Sequence, residues 1–218
     1  MPQKTLVSRR ERLSQARLCV LVAGGPSAAA CAEQVAAIAA AGAELIQLRD
    51  KNLDDAALLE RAIAAVAVAR RYGALLVIND RPDIAVAAAA DGVHLGERDM
   101  PVLAARRVVG SSRLVGRTAH TIEEARAALR DAADYLGVGP CFPSGTKAFE
   151  AFAPQTFLEA VVSEAEVPAF AIGGIEPQRI AQLRALGLSR VAVASAVTRA
   201  DDPAAAVASL LAALREVS

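Results

Sequence analysis
This chain of 218 residues has little cysteine, little histidine and no net charge. Its three cysteines, Cys19, Cys31 and Cys141, lie far apart with no CxxC pair, and two histidines are too few for a histidine-based metal cluster. A reducing, cytoplasmic compartment is the expectation from such cysteine usage. Lysine plus arginine (24) equals aspartate plus glutamate (24), so no basic surplus points to nucleic acid or a membrane surface as partner. Long apolar runs are missing too. Residues 1–17 are a charged segment, and the apolar stretch after it spans about seven residues, short of a signal-peptide core and far short of a membrane span. There is no Ser-His-Asp arrangement, no reactive-cysteine context and no nucleotide fingerprint. The ligand must be a small molecule recognised locally, and the composition is silent on oligomeric state.

What is present is apolar and periodic. Hydrophobic residues make up 54% of the chain, enough for a large core in one domain spanning 1–218. Short Val/Leu/Ile-rich runs alternate with alanine-rich amphipathic stretches, which argues for parallel βα units. The strand candidates are 18–24, 44–48, 75–79, 92–95, 113–117, 135–139, 169–173 and 190–194. They number about eight at spacings of roughly 17 to 31 residues, the scale of one strand plus one crossover helix. Helices are predicted over 54–72, opened by Asp54 or Asp55 and closed by Gly73, and over 122–132, where Thr121 and Glu124 form a capping-box signature. That arithmetic predicts an α/β fold, a (β/α)8 TIM barrel, with an open doubly wound sheet as the alternative.

A closed barrel collects the C-terminal ends of its strands at one mouth, and polar residues cluster at those ends. QLRDK places Gln47, Arg49 and Lys51 on one face of an extended chain, while Ile46 and Leu48 pack outward. INDRPD places Asn79 and Asp80 on the same rim, and HLGERDMP adds Asp99. Each aspartate precedes a proline and suits a helix cap, yet together the two carboxylates beside cations suit Mg²⁺ and a polyphosphate. His94 has the parity opposite to Val93 and Leu95 and fits a satisfied core histidine as well as a functional one. Thr118 in GRTAH can meet a phosphate or satisfy backbone groups. The loop GPCFPSGTK carries Ser144, Thr146 and Lys147; by itself it reads as a solvated connection. Gly173 and Gly174 before a helix, with Ser195 after the eighth strand, read as a backbone cup for a monophosphate. Two anion sites emerge, as a transferase joining a pyrophosphate-bearing substrate to a monophosphate-bearing one requires.

In this order the motifs resemble the thiamine-phosphate synthase family. QLRDK is similar to its QxRxK segment, INDR to its ND segment and DGVHLGERD to its HxGxxD segment. GRTAHT, DYLGVGPCFPSGTK, AIGGI and VAVASAV resemble its later signatures, and the likeness runs from about Ser8 to Asp202. The resemblance implies a (β/α)8 barrel that couples 4-amino-2-methyl-5-(diphosphomethyl)pyrimidine to 4-methyl-5-(2-phosphoethyl)thiazole, or its carboxylated form, with Mg²⁺. It implies Gln47 on the pyrimidine, and Arg49, Lys51, Asn79, Thr118 and Lys147 on the pyrophosphate, with Arg49, Lys51 and Lys147 the catalytic cations. It further implies Asp80 and Asp99 as Mg²⁺ ligands, Ser144 and Thr146 facing the thiazole, and Gly174, Ala194 and Ser195 around its phosphate. The chain departs from the family at Ser144 and Thr118, where many relatives carry Thr and Ser, and both exchanges keep a hydroxyl. A thiazole tautomerase on the same barrel and a non-catalytic binder of thiamine phosphates are the alternatives.

Overall fold
The computed structural model describes residues 8–143 and 152–215. Helix α1 (Arg9–Gln15) leads into β1 (Leu18–Val22), followed by α2 (Ala28–Ala40), β2 (Leu45–Leu48), α3 (Asp55–Arg71) and β3 (Leu75–Asn79). Next come α4 (Pro82–Ala87), β4 (Gly92–Leu95), α5 (Val102–Val109), β5 (Leu114–Ala119), α6 (Ile122–Arg130) and β6 (Tyr135–Val138). The chain continues through α7 (Gln155–Glu164), β7 (Ala169–Ile172), a 3-10 turn at Pro177–Arg179, α8 (Ile180–Ala185), β8 (Val191–Val193), α9 (Ser195–Thr198) and α10 (Pro203–Arg215). All eight strands are parallel and pair in sequence order, and β8 closes on β1 through Cys19 opposite Ala192. Closure rules out the open doubly wound sheet. Among the described residues no helix is long and apolar enough to cross a membrane.

Strand parity divides the apolar residues into two cores. Leu18, Val20, Ile46, Leu48, Leu76, Ile78, Val93 and Leu136 face outward, where α2, α3 and their successors cover them. Cys19, Leu45, Leu75, Val77, Leu114, Tyr135, Phe170 and Ala192 fill the barrel interior. Burial of this kind stabilises by about 25 cal/mol per Å² of apolar surface removed from water. The outward packing of Ile46 and Leu48 is as their alternation with Gln47 and Arg49 predicts.

Local chemistry sets most helix boundaries. Asp54 caps α3 by accepting the Ala57 N–H at 2.8 Å, and Gly73 ends it in the left-handed region at φ 75°. Thr121 accepts the Glu124 N–H at 3.2 Å, but the predicted capping box is not reciprocal. Glu124 reaches one residue further back, to the His120 N–H at 2.7 Å. The charged segment 1–17 contains the helix α1, which pattern reading passes over although Ser8 and Glu11 form a reciprocal capping box. Leu13 and Ala16 plug the N-terminal end of the barrel. Arg9 to Asp91 (2.8 Å) and Arg10 to Asp134 (2.7 Å) tie the helix down.

Candidate active site at the C-terminal mouth
The opposite end of the barrel opens into a cavity of about 1190 Å³. Gln47, Arg49, Lys51, Asn79, Asp80, Asp99, Thr118, Gly174, Ala194 and Ser195 all line it. Ser144, Thr146 and Lys147 lie outside the described residues. Every expected site residue that is described therefore faces one space.

On β2 the pleat aims Gln47 inward. Only 4% exposed, its amide has no side-chain hydrogen-bond partner among the described residues, so it opens onto the cavity as a spare donor and acceptor. The strand ends at Leu48, and the Arg49 N–H bonds the Val22 carbonyl at 2.8 Å, carrying the chain into the mouth. Asp50 turns away and accepts the N–H groups of Gly24 (3.1 Å) and Asn52 (3.0 Å), which fixes the turn that presents Arg49 and Lys51. No carboxylate among the described residues neutralises Arg49.

The aspartates do not cap helices. The caps of α4 and α5 are Arg81 and Pro101, and neither end carries a side-chain cap bond. Asp80 instead sits at φ 64°, a left-handed conformation that costs energy outside glycine, and pairs with Lys51 Nζ at 3.0 Å. Asp99 accepts the Gly96 N–H at 2.7 Å. Both carboxyl groups line the cavity, and each shifts the other's titration. Burial pushes Asp99 up, and its bond to Asp80 adds to that. Burial acts in the same direction on Asp80, but the bonds from Asp99 and Lys51 and the charge of Arg49 outweigh it and hold Asp80 low. Two carboxylates that act on each other in this way offer a position that a divalent cation can take. Hard oxygen donors, two in number and beside cations, fit Mg²⁺, which binds through one or two carboxylates plus substrate phosphates.

Below them, β5 runs on to Ala119, two residues past its predicted end at 117, so Thr118 belongs to the strand and faces inward. Its hydroxyl oxygen lies 2.9 Å from His94 Nε2, and His94 Nδ1 lies 3.1 Å from the Tyr135 hydroxyl. Burial pushes His94 down to about 4 and Tyr135 well above the usual phenol range. Both are neutral, and His94 is satisfied at both ring nitrogens. Cys19 also lines the cavity, but burial pushes its thiol up to about 12, so it offers no thiolate. Tyr135 is a residue that reading by motif misses. Its signal is parity, since it shares an inward face with Gly137.

Across the mouth the backbone dominates. Gly173 (φ 90°) and Gly174 (φ 62°) occupy the left-handed region, and a Cβ on Gly174 would fall 2.1 Å from the Pro143 carbonyl oxygen. Glycine is needed there. The helix expected after the pair opens with the 3-10 turn Pro177–Arg179, three residues on, and continues as α8 (Ile180–Ala185), so the cup itself is a loop rather than a helix end. Ala194 and Ser195 enter the four-residue α9 and line the cavity together with the glycine pair. Residues 141–142, just after β6, are fixed by bonds from Cys141 N to Ile172 O (2.8 Å) and Phe142 N to Gly173 O (3.1 Å).

This geometry has counterparts. A family model described as thiamine monophosphate synthase matches residues 18–197. The chain is 44% identical to a thiamine-phosphate synthase of Rhodopirellula baltica over 90% of its own length and 54% of that protein. It is 46% identical to a thiamine biosynthesis bifunctional protein of Symbiobacterium thermophilum over 92% of its length and 41% of that protein. The chain thus spans about half the length of the curated relatives it matches. A solved thiamine phosphate pyrophosphorylase from Pyrococcus furiosus superposes with a TM-score of 0.81 at 31% identity, covering 94% of this chain and 96% of that one.

Proposed function
The chain belongs to the thiamine monophosphate synthase family, and from that premise we propose that it is a thiamine-phosphate synthase. One observation carries the reading: a single cavity holds cations and a carboxylate pair on the β2 to β5 side and a glycine-rich backbone cup on the β7 to β8 side. A transferase joining a pyrimidine pyrophosphate to a thiazole phosphate needs both ends at once. A tautomerase has no use for Arg49, Lys51 and the paired aspartates.

In this reading Gln47 pairs with polar edges of the pyrimidine, which its unpartnered amide suits. Arg49, Lys51, Asn79 and Thr118 hold the pyrophosphate, with Lys147 assigned there on family resemblance. Asp80 and Asp99 would hold Mg²⁺, which neutralises charge on the leaving pyrophosphate. The bond from the methylene carbon to the pyrophosphate oxygen breaks first, and its electron pair leaves with the oxygen. The electron-rich aminopyrimidine stabilises the methylene cation, and the thiazole nitrogen supplies the pair for the new C–N bond. No side chain needs to act as nucleophile or general base, in keeping with neutral His94 and the protonated Cys19 thiol. The protein contributes charge stabilisation and alignment of the two rings. Ser144 and Thr146 are assigned to the thiazole, while Gly174, Ala194 and Ser195 receive its phosphate. A single domain in the cytoplasm completes the proposal, and free Cys19 and Cys31 suit a reducing compartment.

The test is incubation of purified protein with both substrates and Mg²⁺. Thiamine phosphate and pyrophosphate are expected in equal amounts, and the absence of thiamine phosphate would sink the assignment.

A further inference from the structure
The hydrogen-bond chain beneath the pyrophosphate region has a direction, and buried chemistry sets it. Tyr135 is 2% exposed, and among the described residues its hydroxyl has one hydrogen-bond partner, His94 Nδ1 at 3.1 Å. A buried hydroxyl proton needs an acceptor, so the phenol donates and Nδ1 accepts. The ring proton of His94 is then on Nε2, which donates to Thr118 Oγ1 at 2.9 Å. Thr118 accepts on that side, and its own proton is left for the cavity that it lines. The opposite direction would bury the Tyr135 proton without a partner among the described residues and turn the Thr118 proton away from the cavity.

The surroundings hold this chain in place. Phe170 meets the Tyr135 ring edge-on at 5.8 Å, and the His94 and Tyr135 rings lie 5.4 Å apart. On β5 a Cβ at Gly116 would fall 2.1 Å from Tyr135 Cζ, and on β6 a Cβ at Gly137 would lie 3.4 Å from His94 Cε1. Glycine at 116 opens the space through which the phenol reaches the imidazole.

We infer that Tyr135 and His94 are positioning residues that fix Thr118 as a hydrogen-bond donor to the anion in the cavity, an inference that rests on the pyrophosphate reading above. The imidazole works here as a neutral relay of orientation. No proton is transferred.

The chain has two histidines, which makes the test direct. His120 Nδ1 lies 2.6 Å from the Gly139 carbonyl, so it carries the proton and serves as an internal reference for the opposite tautomer. Long-range nitrogen-15 spectra of the untagged protein should show His94 protonated at Nε2 and His120 at Nδ1. In Tyr135→Phe, which keeps the ring and removes the donor, His94 should populate the Nδ1 tautomer. Calorimetric titration with pyrophosphate and Mg²⁺ should show about tenfold weaker binding in Tyr135→Phe and in Thr118→Ala, the scale of one hydrogen bond to a charged group. Thr118→Ser should keep wild-type affinity. The double variant Tyr135→Phe/Thr118→Ala should bind no worse than Thr118→Ala alone, because a residue acting through Thr118 has nothing left to act on. Additive losses, or Nδ1-protonated His94 in the wild type, would overturn the relay while leaving the pyrophosphate reading intact. Wild-type affinity in Thr118→Ala would overturn the pyrophosphate role of Thr118 and the relay with it.

Discussion
At the N-terminal end of the barrel, Glu44, Asp91 and Asp134 each stand just before a strand and accept a backbone N–H from the strand before it. The donors are Leu18 (3.0 Å), Leu76 (3.0 Å) and Val115 (2.7 Å). Arginines complete two of the three, Arg9 on Asp91 and Arg10 with Arg106 on Asp134. At the C-terminal end the same residue types stand differently. Asp80 and Asp99 share the cavity, among the described residues Arg49 has no carboxylate partner and the Gln47 amide no hydrogen bond, and Asp80 is held at φ 64°. One end uses its charges to hold the strands in register. The other pairs Lys51 with Asp80 but leaves Arg49 and Asp99 without an opposite partner among the described residues, a cost in stability that functional sites commonly carry.

Substitutions at the two ends should therefore separate activity from stability. The largest effect is expected from Asp80→Asn. Losing a Mg²⁺ ligand should lower turnover at least about 100-fold, since the ion contributes several kcal/mol of charge stabilisation. Asparagine tolerates the left-handed conformation, and relief from Asp99 offsets the loss of a half-exposed pairing with Lys51, so the melting temperature should change little. A melting temperature that falls together with activity would break the comparison. Asp91→Ala probes the other end. It leaves the Leu76 N–H unpaired inside the barrel wall and frees Arg9, and should cost about 2 kcal/mol, a fall in Tm of about 4 to 8 °C. Steady-state kinetics should be unchanged, and a matching drop in kcat would show that the ends are coupled. Lys147→Ala should slow turnover by at least about tenfold if it removes a charge-assisted contact to the leaving group. Wild-type rates in that variant would return Lys147 to solvent.

How much of this was legible in the sequence differs between the same two ends. The eight strands are marked by compact Val/Leu/Ile runs, and the residues at the mouth by polar side chains that interrupt them. Gln47, Arg49, Asp80 and Asp99 fall together because a closed parallel barrel has no other place for strand ends. Helix α1 is faint in the sequence pattern because its partners are remote. Leu13 docks into the barrel, while Arg9 and Arg10 reach Asp91 and Asp134, 82 and 124 residues away. The relay through Tyr135 and His94 was hidden for a similar reason. Parity shows that His94 points inward, but the 3.1 Å and 2.9 Å contacts depend on the stagger among β4, β5 and β6. Capping chemistry was read correctly at Asp54, where the bond is local. At Thr121 the Glu124 carboxylate had a choice of two neighbouring N–H groups and took that of His120.

The measurement that bears most directly on the contrast between the ends is calorimetric titration of the wild-type protein with inorganic pyrophosphate, once with Mg²⁺ and once with EDTA. Arg49 and Lys51 beside the carboxylates of Asp80 and Asp99 at the C-terminal mouth predict saturable binding with Mg²⁺ that is lost in EDTA. Equal binding under both conditions, or none with Mg²⁺, would contradict a Mg²⁺-pyrophosphate site at that end of the barrel.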